Sequence, residues 1–523
     1  MITQRPTGSM RRAGPRSTMG LGPAKPGSAP YPGAKLVTAR PRARSALIDF
    51  LFADLTWLLV VSTVGVHVVF GAEPFPIAAR ALCSVPAVLF FIEARTYLKS
   101  EERELPFILL ALGQYYLQFA LPVFWDVPFF DMSGPVYFSD TTRNQACIAV
   151  ALGSMSFWGA ARVALPLGHR LRRSALKILP PETILQGWDN GFYIYAGAVV
   201  AYALVDVVAP VLIPGSLVLA VNLLMDSGYA IGLAAVRPPR LLGRRMSQVL
   251  LLISMIVGML RGQLELVGRP VMAYLGAQWV TTRRAALGAL SALVVLYLVL
   301  QPIKASYRAQ VWTNRGEDVG FSGRVEAWQN SFSNPQKHSG GEAIGRLSEL
   351  SSVMHAVIVV PSRVDYMYGA TYLQILYAPI PRLIWADKPD SRHEYSQRYG
   401  VIFGLQTDAG SETTAFNLNP LVEGYWNFGW FGVALGCAAM GMVVGAQQRL
   451  FAGPHWALFA GGVAQLAGLS MTASTTLMYS LLFQTLFARV MTAWCVYWLA
   501  RNLSSQRARG GGVARRLSRR GQH

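Results

Sequence analysis

A succession of about twelve apolar runs, most of them near or above the length a helix needs to cross a bilayer, constrains this 523-residue chain more than any other feature. They lie near 47–71, 75–94, 105–125, 145–166, 191–212, 215–236, 246–261, 264–282, 285–303, 426–447, 455–472 and 474–499. A hydrocarbon layer about 30 Å thick is spanned by about 20 apolar residues, and only a helix satisfies its own backbone there within one segment. Composition agrees: 53% of residues are hydrophobic and 14% charged, where soluble domains carry about a quarter charged. The pattern predicts an all-α, polytopic integral membrane helix bundle of about 12 transmembrane helices and excludes disordered, collagen-like and soluble nucleic-acid-binding chains. The eighth run is the weakest, because Arg261, Glu265 and Arg269 sit where lipid penalises charge, and a broken or re-entrant form stays open.

The 47 Lys and Arg exceed the 27 Asp and Glu, giving a net charge of +20. The excess collects in the two tails and in short loops, among them Arg170, Arg172 and Arg173, then Arg237, Arg240, Arg244 and Arg245, then Arg283 and Arg284. With the N-terminal tail inside, all of these fall on the cytoplasmic side, so the positive-inside rule accounts for the charge without nucleic acid as a partner. The predicted organisation is a disordered basic tail (1–45), about nine spans (46–303), a large extracytoplasmic loop (304–425), about three further spans (426–500) and a second basic tail (501–523), both termini being cytoplasmic. Cys83, Cys147, Cys437 and Cys495 fall inside apolar runs with no metal or redox spacing and read as small apolar residues.

The loop 304–425 is nearly balanced, with 11 basic and 12 acidic side chains. Ile344, Leu347, Leu350, Met354, Val357 and Ile358 recur at helical steps, predicting an amphipathic helix that lies on the membrane or packs over the bundle. The shorter outward loop 124–143 carries Trp125, Asp126, Asp131, Tyr137 and Asp140, and reads first as an ordinary solvated loop.

No phosphate-binding loop, dinucleotide fingerprint, HExxH or paired CxxC occurs, and no acidic cluster has convincing ligand spacing, so neither a cofactor nor a metal is expected. The most specific stretches are Tyr366-Met367-Tyr368-Gly369-Ala370-Thr371-Tyr372, then Ile380-Pro381-Arg382-Leu383-Ile384-Trp385-Ala386-Asp387-Lys388-Pro389, and Asn419-Pro420-Leu421-Val422-Glu423-Gly424-Tyr425-Trp426-Asn427-Phe428-Gly429-Trp430-Phe431-Gly432. Following an outward loop late in a polytopic chain, they resemble the bacterial oligosaccharide repeat-unit polymerases, the O-antigen polymerase (Wzy-type) family, over about 360–435, with Met259-Leu260-Arg261-Gly262 in support.

The resemblance implies a glycosyltransferase of the bacterial inner membrane that joins undecaprenyl-diphosphate-linked oligosaccharides at the outer face, making O-antigen, capsular or exopolysaccharide. A flippase and a chain-length regulator of the same pathway are implied as partners, beside membrane lipid. The family supplies no residue-level signature. Two alternatives stay open: an O-antigen ligase type of transferase with the same donor, and a flippase or transporter. Transporters usually show duplicated halves and short external loops, whereas here the two halves show no convincing similarity and the candidate chemistry is concentrated in the longest loop, after the ninth span.

The chemistry itself asks for particular residues. A departing lipid diphosphate needs cations, for which Arg382, Arg261, Arg363 and Lys388 are candidates. Snorkelling explains Arg261 as well, and surface ion pairs with Asp387 or Asp365 explain Lys388 and Arg363. The attacking hydroxyl needs a proton acceptor, and Glu423 ranks before His393, Glu412 and Asp365 because it lies one turn before the aromatic entry of the tenth span. A helix-N-terminal carboxylate is the competing reading for Glu423, and an exposed imidazole for His393. Tyr368, Trp385, Tyr425 and Asn427 are assigned to substrate contact, although interface anchoring uses the same aromatics.

Overall fold

The computed structural model describes residues 46–99, 104–125, 129–178, 321–333, 348–377, 398–411 and 418–453, with scattered positions between 249 and 311, at 385 and 387, and between 455 and 466. The chain divides into Met1–Ala53, of which only the opening of the first helix is described, and Asp54–His523. Among the described residues, eight helices carry the architecture: α1 (Ala46–Phe70), α2 (Ile77–Cys83), α3 (Val85–Lys99), α4 (Phe107–Tyr115), α5 (Asp140–Ile178), α6 (Phe321–Ser333), α7 (Leu350–Val359) and α8 (Pro420–Leu450).

Among the described residues, four helical stretches are long and apolar enough to cross a membrane: Ile77–Tyr97, Phe107–Phe124, Asp140–Ile178 and Pro420–Leu450. The first is α2 and α3 joined at Ser84, whose hydroxyl donates to the Ala81 carbonyl over 2.6 Å. The second continues α4 through a π turn (Tyr116–Ala120) and a 3-10 turn (Leu121–Phe124). Pro122, lacking an N–H, loosens the ladder where these turns meet. Together with α1, these stretches coincide with the expected runs at 47–71, 75–94, 105–125, 145–166 and 426–447. The other seven expected spans lie wholly or largely outside the described residues. Strand β1 (Phe129–Asp131) pairs with β2 (Gly134–Val136), an antiparallel hairpin in the 124–143 loop that the all-α expectation omitted. The Met132 N–H, at its tip, donates to the Gly404 carbonyl.

The centre of the bundle is α5 against α8. A Cβ at Gly441 would collide with the Phe157 carbonyl, one at Gly445 with that of Ala161, and one at Gly168 with that of Ala446. Small residues at these steps let two backbones touch where apolar burial gives helices in lipid no preference for each other. The partner numbers rise together, so the two helices run parallel. One end of the bundle therefore collects Arg162 with Glu93 (2.8 Å) and Arg449 with Glu104 (2.5 Å). Trp158 Nε1 and Gln448 Nε2 complete these carboxylates, each over 3.1 Å. The opposite end carries the start of α5 and the β-hairpin.

Helix α7 belongs to the core. Leu350, Val353, Met354, Ala356 and Val359 are buried against α5 and α8, so of the two expected placements the packed one holds. Ile344 and Leu347 lie outside the described residues.

Candidate functional site

Asn419-Pro420 opens α8 by local chemistry. The Asn419 side-chain oxygen accepts from the Val422 N–H over 2.9 Å, and Pro420 fills the first helical position, where its missing N–H costs nothing. The other half of the Asn419 amide donates to Glu349 Oε2 over 3.1 Å, joining this cap to the start of α7.

The helix does not run straight. Phe428 (φ −143°, ψ 24°) and Gly429 (φ 59°, ψ −140°) leave helical geometry, and only glycine takes the second of these conformations without strain. A Cβ on Gly424 would stand 2.6 Å from the Gly432 carbonyl oxygen, and one on Gly153 of α5 would meet both Leu421 and Cys437. In a straight helix residues 421 and 437 are about 24 Å apart. Pro420 also lines a cavity with Met440, Val444, Tyr115 and Phe157. These contacts make α8 a helical hairpin. Arm 420–427, about 12 Å long, starts within the bundle and rises to a reversal at Phe428–Gly429, and arm 430–450, roughly 30 Å long, descends past it.

The first arm's polar side chains stand on one face at four-residue steps: Asn419, Glu423, Asn427. The loop after α7 clamps this face. The Met367 and Tyr368 N–H groups donate to the Trp426 and Asn427 carbonyls, which the reversal leaves without helical partners, and the Gly369 N–H donates to Asn427 Oδ1 (2.9 Å). Asn427 Nδ2 donates to the Thr371 hydroxyl (2.7 Å) and to the Glu423 carbonyl (2.8 Å). Thr371 in turn hydrogen-bonds the Glu423 carboxyl.

Glu423 is 4% exposed, and its Oε2 has no partner among the described residues. Neither do the Tyr372 hydroxyl and Trp426 Nε1, both buried. Burial and the nearby Glu423 carboxyl hold the Tyr372 phenol well above the usual range, so it remains a donor. At the start of α7, burial pushes the Glu349 carboxyl up to about 7 against the opposing bonds from Asn419 and Ser352. Buried polar atoms are nearly always paired, so the two orphans on the hairpin and the Tyr372 hydroxyl on the loop that clamps it are candidates for binding polar groups of a ligand. The carboxylate accepts a proton, the phenol and indole donate hydrogen bonds, and Tyr368 and Trp430 edge the reversal with aromatic surface.

The expected site residues separate accordingly. Glu423 and Asn427 come together, Asn427 as the clamp that spends its amide on Gly369, Thr371 and Glu423. Tyr425 is buried edge-on to Trp430, with ring centroids 5.3 Å apart, and Tyr368 is exposed at φ 47° beside the reversal. Arg363 is exposed beyond α7 and lies near His355 rather than within the Glu423 network; His355 faces Asp131 across 3.9 Å. Trp385 is partly exposed. Arg261, Arg382, Lys388, His393 and Glu412 lie outside the described residues. Sequence reasoning assigned no role to Thr371, Asn419 or Glu349. The Asn-Pro helix start with a carboxylate one turn on was the available signal for Asn419.

Apolar helices packed around a helical hairpin that carries a buried carboxyl define the class: a helical protein with several helices long and apolar enough to cross a membrane, and a candidate polar site on the hairpin. Residues 225–498, more than half the chain and including the whole hairpin, match the family described as a domain of unknown function (DUF8712), and the chain belongs to that family. No curated protein and no solved structure matches it.

Proposed function

We propose that this protein is an inner-membrane glycosyltransferase that lengthens glycans by joining undecaprenyl-diphosphate-linked oligosaccharide repeat units. The observation that carries the reading is the buried Glu423 carboxyl, held by Thr371 on a re-entrant hairpin, with one oxygen lacking a protein partner. In this account the acceptor hydroxyl attacks the anomeric carbon of the donor glycan, the bond to the diphosphate breaks, and the hydroxyl proton passes to Glu423. Tyr372 and Trp426 donate to sugar oxygens, and the aromatic surface of Tyr368 and Trp430 receives sugar faces. Arg363, and Arg261, Arg382 and Lys388 beyond the described residues, are the cations proposed for the departing diphosphate. The arginine-rich end of the bundle is assigned to the cytoplasm by the positive-inside rule, which turns the hairpin reversal outward, toward the face where lipid-linked units are presented.

The test is purified full-length protein in lipid vesicles with a lipid-diphosphate-linked repeat unit and no nucleotide or ion gradient. Lengthening is expected, and Glu423→Gln should slow it by about 10²-fold or more while leaving insertion unchanged. Movement of the unit across the vesicle without lengthening, or full activity in Glu423→Gln, contradicts the reading.

A further inference from the structure

The sulfurs of Cys83, at the end of α2, and Cys147, in the second turn of α5, stand 2.8 Å apart, and both residues are fully buried. Sixty-four positions separate them, so no short motif announces the pair. A disulfide requires about 2.04 Å between the sulfurs, a gap that side-chain rotation of less than an ångström closes. Cys437, also buried, instead meets the Tyr115 hydroxyl at 3.3 Å.

We propose that Cys83 and Cys147 are a redox pair that closes into an intrachain disulfide joining the 77–97 span to α5. The oxidant is a low-molecular-weight disulfide. One cysteine thiolate attacks it and releases one thiol, and the second cysteine then displaces the other. Two S–H bonds are lost and one S–S bond forms, and the two electrons leave with the reagent as two thiols. Because both sulfurs are shielded once the spans have packed, the bond forms most readily as they meet and resists reduction afterwards. Cys147 lies less than two turns before Gly153, the contact point for Leu421 and Cys437, so the bond fixes the wall on which the Glu423 hairpin rests. The pairing stands independently of the glycosyl-transfer reading.

The test counts thiols in the full chain by intact mass. Protein isolated without reductant, and reduced protein exposed to oxidised glutathione in micelles, are denatured in SDS with N-ethylmaleimide. Two alkylated cysteines of the four, with a linked Cys83–Cys147 peptide in at least one preparation, are expected, and Cys147→Ser should abolish the linked peptide and leave three alkylated. Four alkylated cysteines in both preparations, or a link through Cys437 or Cys495, overturns the proposal.

Discussion

Glu423 and Glu349 occupy related but different places. Glu423 has a free oxygen, whereas Glu349 is committed to Asn419 and Ser352 at the start of α7. Burial raises Glu349 from its usual 4.5 to about 7, so the folded protein favours the protonated acid. The stability from that preference is full below about pH 4.5 and is lost as pH rises through about 7. His355 is shifted down by burial, with Asp131 opposing and Arg363 reinforcing the shift, and its contribution is lost as pH falls below its usual 6.5. The two contributions oppose each other on the acidic side of neutrality, and in thermal unfolding in detergent Glu349→Gln is expected to make stability fall less with rising pH between about 4.5 and 7, by an amount of order 3 kcal/mol. A pH dependence between about 4.5 and 7 that is the same in that variant as in the native protein refutes the assignment. Glu423 was legible in the sequence because a carboxylate stands out in an apolar, aromatic block. Glu349 was not, because its partner Asn419 lies 70 positions away and only the fold brings them together.

At the scale of elements the hairpin in α8 is the decisive feature, and hydropathy hides it. Residues 420–450 are apolar almost throughout, and a run of that kind reads as one span whether or not it folds back. The cues were Gly424, Gly429 and Gly432, each required by a close approach or a left-handed turn that cannot be assigned before the reversal is known. The contact predicts its own sensitivity. A Cβ on Gly432 would collide with the Gly424 carbonyl, which is backbone and cannot swing aside, so Gly432→Ala should cost about 1 to 3 kcal/mol and lower the Tm. Gly159 in α5 has open space around its Cβ direction, and Gly159→Ala should leave the Tm unchanged or raise it slightly. Equal effects in the two variants would mean that the arms do not meet there.

For the molecule as a whole, the apolar runs foretold the helical class and five of the expected segments, because length and hydropathy in a bilayer leave few alternatives. Which end faces which side of a membrane is an inference from charge alone, and the parallel packing of α5 and α8 brings Arg162 and Arg449 to one end of the bundle. Tyr137 and Tyr368, both highly exposed, should be labelled by an impermeant maleimide from the same side when replaced by Cys, and Ile178→Cys, at the arginine-rich end, from the other. With that end cytoplasmic, the first two label in intact spheroplasts and the third only after permeabilisation. The central claim, that the chain turns back on itself to bring a carboxyl into the bundle, is tested most directly by introducing Leu421→Cys into a protein whose remaining native cysteine is Cys437, and oxidising it. An intrachain bond between these positions is the predicted result, while failure to cross-link, as required of a straight helix that holds them about 24 Å apart, would contradict it.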